Sequence, residues 1–168
     1  MRNRIVLVIT ISWILCSCKT EPDLVLHQKA GENFTFYTSQ ELYNQAMGKR
    51  LTDTGNSFTI KSVVSTKDDP STGHDLLKIT VSHPGSCDGK FEFIWDGAIM
   101  ESYPEQINIF LRLPGSCPDG DQITETVLHL DLDEFIGQPD LVDRAVFHIV
   151  NGSVSSGDED MSVSFSFS

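Results

Sequence analysis

The sequence predicts a mainly β domain, an antiparallel β-sandwich of the immunoglobulin-like kind with one short N-terminal helix. Many short segments alternate apolar and polar residues with the period of two expected for half-buried strands. Gly- and Pro-containing turn signals separate these segments, and only one segment has apolar residues at helical spacing. Short strands at this spacing are typical of a sandwich, and a closed barrel is the alternative.

The first expected elements are a strand in "NFTFYT" and then the short helix. Thr38 and Glu41 have the spacing of a capping box, and Gly48 is expected to end the helix. The apolar face of the predicted helix consists of Leu42, Tyr43, Ala46 and Met47.

The remaining segments are all expected to be strands with one buried and one solvated face. They are "SFTIKSVVS", "LLKITVS", "KFEFIWDG", "QINIFLRL", "ITETVLHLDL", "AVFHIV" and "MSVSFSFS". Phe110 lies opposite the apolar side of its strand. Trp95, Tyr103 and Phe110 are therefore the aromatic candidates for an exposed patch.

The N-terminus has the features of an export signal. A basic start at Arg2 and Arg4 precedes an apolar run that ends at Leu15, which is too short to span a bilayer. The following "LCSC" resembles the bacterial lipobox, with Leu15 at position minus three and Ser17 at minus one. We therefore expect Cys18 to be lipidated.

Two alternatives to this assignment are weaker. Modification of Cys16 would place Leu15 at a cleavage position that prefers a small residue, and an ordinary signal peptide would leave both cysteines without a role. The predicted organisation is a lipoprotein signal peptide at residues 1–17, a lipidated cysteine and tether at 18–33, and a single β-sandwich at 34–168. Lys19 is not the aspartate typical of inner-membrane retention, so we expect an outer-membrane lipoprotein that faces either the periplasm or the cell surface.

The mature chain would be strongly acidic. Of 12 Lys and Arg residues, two lie in the signal, which leaves 10 against 24 Asp and Glu and a net charge of −14. This charge disfavours nucleic acid and favours basic partners or cations. Asp119 and Asp121 are weak candidates for a calcium site, but no complete EF-hand loop is present, and we expect no other cofactor.

The motif Pro-Gly-Ser-Cys occurs twice, at residues 84–87 and 114–117. If "KFEFIWDG" and "QINIFLRL" form a hairpin, Cys87 and Cys117 lie at the same end of it. An exported protein enters an oxidising compartment, so we expect these cysteines to form a disulfide. A catalytic thiol would require a positioned base, and a zinc site would require more Cys or His residues at ligand spacing.

The segment from about Leu77 to Leu132 resembles an uncharacterised family of bacterial lipoproteins, seen especially in Bacteroidota. The resemblance rests on Gly85 with Cys87, on the aromatic strand that ends in Trp-Asp-Gly, on Cys117 and on "TET" at residues 124–126. A histidine that this family often has three residues after the first cysteine is replaced here by Lys90. The resemblance implies a lipoprotein and brings no established activity.

Together these features favour a lipid-anchored envelope protein with a non-enzymatic binding or structural domain. Its expected partners are the membrane, through the lipid anchor, and an unknown protein or glycan. One alternative is an envelope hydrolase that uses paired carboxylates such as Glu101 and Glu105. Another is an inhibitor or immunity-type protein that uses its negative charge against a basic partner.

Overall fold

The computed structural model describes residues 27–50, 56–118, 122–153 and 161–164 of the chain. This part is mainly β, as the sequence predicts. Its strands and helices, in chain order, are β1 (His27–Ala30), β2 (Phe34–Thr38), α1 (Gln40–Arg50), β3 (Thr59–Thr66), β4 (Leu76–Pro84), β5 (Phe91–Trp95), β6 (Glu105–Arg112), β7 (Ile123–Asp131), α2 (Leu132–Ile136), α3 (Pro139–Val142), β8 (Ala145–Asn151) and β9 (Met161–Ser164).

The described strands form two sheets. One has the order β1-β2-β5-β6-β8-β9, and the other has the order β3-β4-β7. The larger sheet is mixed, because β2 pairs in parallel with β5 and β6 in parallel with β8. The prediction of a purely antiparallel fold is therefore wrong, and the strand order does not confirm an immunoglobulin-like topology. Alternation along one strand does not encode the direction of its neighbour.

One hydrophobic core lies between the two sheets. The larger sheet contributes Phe36, Phe93 and Ile107, and the smaller sheet contributes Ile79 and Leu128. These side chains are essentially without solvent contact, as the alternation predicts. Burial of this apolar surface is the main force that holds the sheets together.

Helix α1 covers the outer face of the larger sheet. It occupies the segment for which the sequence predicts a helix, but the Leu42 amide donates to Ser39 Oγ at 3.2 Å, so Ser39 rather than Thr38 provides the cap. The helix also runs through Gly48 to Arg50. Ala46 of the helix and Ile94, Phe110 and Val150 of the sheet form a second apolar cluster.

Two of the three aromatic candidates, Phe110 in this second cluster and Trp95 in the main core, are buried. Phe110 is only 2% exposed, because α1 covers the face of the sheet on which it lies. Trp95 is 5% exposed, and its indole donates to the Ala98 carbonyl at 3.0 Å. The prediction of an exposed aromatic patch is therefore wrong for both residues, whereas Tyr103 is fully exposed.

The sheet begins earlier than the sequence indicates. Strand β1 lies within the segment 18–33, which is expected to be a tether, and it pairs with β2. The predicted signal peptide and Cys18 lie outside the described residues. Among the described helices, none is long and apolar enough to cross a membrane.

The strand registers define two ends of the larger sheet. His27 pairs with Thr38 and Thr38 pairs with Trp95, so the start of β1 and the end of β5 lie together, at what we call the His27 end. The start of β5 and the end of β6 lie at the opposite end, where Glu92 pairs with Arg112. Cys87 and Cys117 flank these strands, and we call this the disulfide end.

Candidate functional site

The repeated Pro-Gly-Ser-Cys turns meet at the disulfide end. Strands β5 and β6 form the predicted hairpin, and Cys87 and Cys117 form a disulfide with their Cα atoms 4.0 Å apart. Both the hairpin and the disulfide predictions are confirmed. Both thiols are consumed in this bond, so neither is available as a nucleophile or a metal ligand.

Hydrogen bonds lock the two turns to each other. Ser86 Oγ donates to the Pro118 carbonyl at 2.6 Å, and the Ser116 amide donates to Asp88 Oδ1 at 2.8 Å. Gly89 packs so closely against the Pro114 carbonyl that a Cβ would lie 1.9 Å from its oxygen. The repeat is therefore a rigid structural element that fixes this end of the sheet.

A cleft of about 320 Å³ lies between the β1–β2 turn and strand β7, and we call it the β7 cleft. Its apolar lining comes from Phe34, Val127, Leu128 and Phe135. Its ionisable lining comes from Glu32, His129, Asp131 and Glu134, and three of these four side chains are carboxylates. Three separate elements supply these acids: the β1–β2 turn, β7 and α2.

Asp131 has two roles at the edge of the cleft. Its Oδ1 accepts the Glu134 amide at 2.8 Å and caps α2, and its Oδ2 contacts His74 Nδ1 at 2.7 Å. This hydrogen bond, aided by the charge of Asp131, raises the pKa of His74 above its ordinary value. The carboxylate is thus held in place by its own helix and by the β3–β4 turn.

Lys29 packs against the other side of the same region. Its Nζ donates to the Glu134 carbonyl and lies 5.8 Å from the centroid of the Phe135 ring. The Phe135 ring in turn packs against Phe34 and Phe36, with centroid separations of 5.5 and 5.1 Å. Helix α2 is therefore fixed against the β1–β2 hairpin, and the cleft has rigid walls.

Strand β7 forms the open edge of the smaller sheet. In the described part of the chain it pairs with β4 along nine residues in an unbroken register, and no strand pairs with its other side. The opposite edge of the smaller sheet is irregular, because β3 has a bulge between Ile60 and Ser62. A bulge protects an edge from pairing, and the described residues of β7 have none.

A second cavity, of about 300 Å³, lies at the loop between β5 and β6. It is lined by Tyr103, Pro104, Glu105 and Arg144. Tyr103 is fully exposed, and the peptide bond before Pro104 is cis. Glu105 pairs with Arg144 across the cavity, with 3.3 Å between Oε1 and Nε.

Of the two carboxylates that the hydrolase hypothesis pairs, only Glu105 lines the second cavity. Glu105 lines the second cavity and is bound to Arg144, whereas Glu101 is exposed and does not line that cavity. The hydrolase alternative, which needs two converging carboxylates, stays a prediction.

The calcium candidates Asp119 and Asp121 lie outside the described residues. Within the described ranges, no group of three or more His, Cys, Asp or Glu side chains is arranged to hold a metal ion. The complete acidic lining of the β7 cleft is absent from the sequence-based candidates, because Glu32 is far along the chain from Asp131 and Glu134. In the sequence, the acidic pattern "DLDE" at residues 131–134 is the signal for part of this lining.

Comparisons with protein-family models, with curated proteins and with solved structures find no match for this chain.

Proposed function

We propose that this chain is a lipid-anchored envelope protein whose β domain binds a basic partner without transforming it. The observation that carries the proposal is the β7 cleft, where carboxylates from three elements line a cavity beside an open edge strand. In this proposal the two sheets act as a sandwich, a rigid frame that presents binding residues at its margin. Cys18 carries the lipid and holds the domain at the outer membrane, facing the periplasm or the cell surface.

Electrostatics supports a basic partner. The predicted mature chain has a net charge of −14, from 10 basic and 24 acidic residues, which accelerates encounters with positively charged proteins. Glu32, Asp131 and Glu134 concentrate negative charge in the cleft. A Lys or Arg side chain placed there would form charge-assisted hydrogen bonds, which are about twice as strong as neutral ones.

The backbone of β7 supports an extended partner segment. A strand that pairs with a free sheet edge gains main-chain hydrogen bonds, and its alternate side chains enter neighbouring pockets. A segment paired with β7 would pass along the cleft, because Val127, Leu128, His129 and Asp131 all line it. An inhibitor or immunity-type protein would use the same surface against a basic enzyme.

The binding test compares two pairs of substitutions with equal changes in charge. Glu32→Gln with Glu134→Gln alters the cleft, whereas Glu101→Gln with Asp140→Asn alters exposed positions outside its lining. The probe is an extended peptide of alternating Lys and Thr, titrated into the lipidated protein by calorimetry. We expect the cleft pair to weaken binding by roughly tenfold or more, since a charged hydrogen bond contributes about 1.5 to 3 kcal/mol. Equal losses in both pairs, or no binding to the wild type, would contradict the proposal.

The anchoring test is independent of the peptide. Metabolic labelling with a fatty acid should mark the wild type and not Cys18→Ala. A wild-type protein that carries no label would refute the lipid anchor and leave the binding result standing.

A further inference from the structure

The loop between β5 and β6, residues 96–104, exposes two large apolar side chains. We call it the Tyr103 loop. Tyr103 is 101% exposed and Met100 is 42% exposed, although both are large side chains. The other large apolar residues with high exposure in the described part of the chain are Val64, Ile123 and Val127, and they lie on the smaller sheet.

The Tyr103 loop lies at the end of the domain from which the chain leads back to Cys18. His27 pairs with Thr38, which pairs with Trp95, so only β2 separates the start of β1 from the end of β5. Adjacent strands are about 4.8 Å apart, which places the two chain positions about 10 Å from each other.

Strand β6 carries the loop farther out at this end. Trp95 pairs with Ile109, so residues 105–108 of β6 extend past the last residue of β5. Four residues of a strand span about 13 Å. Tyr103 is therefore displaced outward from the His27 end, whereas the disulfide lies at the opposite end.

The length of chain between Cys18 and His27 limits how far this end can lie from the lipid. The two residues are nine positions apart, and nine residues span at most about 30 Å even when fully extended. A bilayer that holds a lipid on Cys18 is consequently within reach of the His27 end.

We propose that the Tyr103 loop is a second membrane contact, in which Tyr103 and Met100 enter the headgroup region of the bilayer that holds the lipid anchor. This inference rests on the proposed lipidation of Cys18. Tyrosine favours the membrane–water interface because its ring is apolar and its hydroxyl is polar. A lipid chain and a second, weaker contact together hold a protein in a fixed orientation more firmly than a lipid alone.

The charged residues around the loop determine which lipid headgroups it can contact. Asp96 and Glu101 belong to the loop, and Glu105 is paired with Arg144 beside it. Negative charge at this end opposes anionic headgroups. The contact is therefore with a zwitterionic surface, such as phosphatidylethanolamine or phosphatidylcholine.

The test places a fluorescent reporter at the loop. Tyr103→Trp is made in the lipidated protein and reconstituted in phosphatidylcholine vesicles with or without brominated acyl chains, which quench nearby tryptophan. Ile123→Trp is the matched control, because Ile123 is 63% exposed and starts β7 near the disulfide end. The native Trp95 is buried in both variants and is subtracted with the wild type.

We expect brominated lipid to reduce the Tyr103→Trp emission by about twofold and to leave Ile123→Trp unchanged, since interfacial side chains lie close to the acyl boundary. Addition of an anionic lipid should weaken the quenching. Equal quenching of the two reporters, or none at position 103, would overturn the proposal.

Vesicle flotation separates this inference from the proposed function. If the wild type floats with vesicles, Cys18→Ala does not, and the Tyr103→Trp reporter is unquenched, the loop proposal fails and the anchor stands. If Cys18→Ala floats as well as the wild type, the lipidation proposal fails.

Discussion

At the scale of single residues, Phe110 and Tyr103 show how position decides the environment of an aromatic ring. Both belong to the β5–β6 hairpin region, yet Phe110 is almost fully buried and Tyr103 is fully exposed. Helix α1 covers Phe110, and the Tyr43 and Phe110 rings pack in a T-shaped arrangement with their centroids 6.4 Å apart. The alternation of apolar and polar residues in β6 does not show that a helix from a distant part of the chain covers Phe110.

Truncation of these two side chains to alanine should lower the free energy of unfolding by different amounts. We expect Phe110→Ala to lower the free energy of unfolding by about 3 to 5 kcal/mol, because it creates a cavity beneath α1. Tyr103→Ala should change it by less than about 0.5 kcal/mol, since an exposed side chain loses little packing. Urea unfolding followed by circular dichroism measures both, and similar losses for the two variants would be inconsistent with this structure.

His74 and Asp131 make a pH-dependent pair. The pKa of His74 is raised chiefly by its hydrogen bond to Asp131, with smaller contributions from the charges of Asp133 and Glu134. Because the folded pKa lies above the unfolded one, the pair stabilises the fold fully below the ordinary histidine pKa of 6.5. That contribution is lost as the pH rises through the raised folded pKa.

Asp131→Asn tests this pair without removing the α2 cap, because the amide oxygen can still accept the Glu134 amide. We expect the pKa of His74 to fall back toward 6.5. An NMR titration of the His74 ring protons measures the shift. An unchanged titration in the variant would exclude Asp131 as the cause.

At the scale of elements, the disulfide joins the two ends of the β5–β6 hairpin across a separation of 30 residues. We expect the double substitution Cys87→Ser with Cys117→Ser to destabilise the fold by about 3 to 4 kcal/mol, because the unfolded chain regains the entropy of the closed loop. Denaturant unfolding of the wild type with and without reductant provides the reference. A variant as stable as the oxidised wild type would contradict a stabilising role.

Substitution by alanine should have opposite effects on stability at Gly48 in helix α1 and at Gly89 in the disulfide turns. Gly48 lies in α1 with open space around its Cβ position, so Gly48→Ala should stabilise the fold by up to about 1 kcal/mol. Gly89→Ala should destabilise it, because the new methyl group would collide with the Pro114 carbonyl. Thermal unfolding of both variants checks the pair, and stabilisation by Gly89→Ala would show that the turns are not interlocked.

At the scale of the whole molecule, acidic residues gather around the β3–β4 turn and α2. Asp75 lies between them, its Oδ1 accepts the Asp68 amide at 2.9 Å, and burial raises its pKa. Lys67 pairs with Asp143 at 2.8 Å nearby. Because acids outnumber bases in the sequence by 24 to 12, repulsion between them should dominate the long-range electrostatics.

We therefore expect added salt to stabilise the protein. Raising the ionic strength from about 10 to 150 mM shortens the Debye length from about 30 to 8 Å and screens the repulsion between distant carboxylates. The free energy of unfolding in urea, measured at several NaCl concentrations, should increase. A decrease would mean that the ion pairs outweigh the repulsion. Substitution of Glu101→Gln with Asp140→Asn should reduce the salt dependence.

The sequence by itself determined the local properties of this protein. Alternation located most strands, helical spacing located α1, and the flanking positions of Cys87 and Cys117 identified the disulfide. These features depend on residues that are close in the chain, on the side-chain periods of strands and helices, and on a single hairpin. Lipidation of Cys18 remains a prediction from the motif at residues 15–18.

Only the tertiary structure decided which elements lie beside each other. The parallel pairs β2–β5 and β6–β8, the burial of Phe110 and the joining of Glu32 with Asp131 and Glu134 all depend on contacts between distant segments. Such contacts follow from how amphipathic faces pack as a whole, and the pattern of one segment does not specify its partner. The β7 cleft and the placement of the Tyr103 loop at the His27 end are therefore properties of the fold.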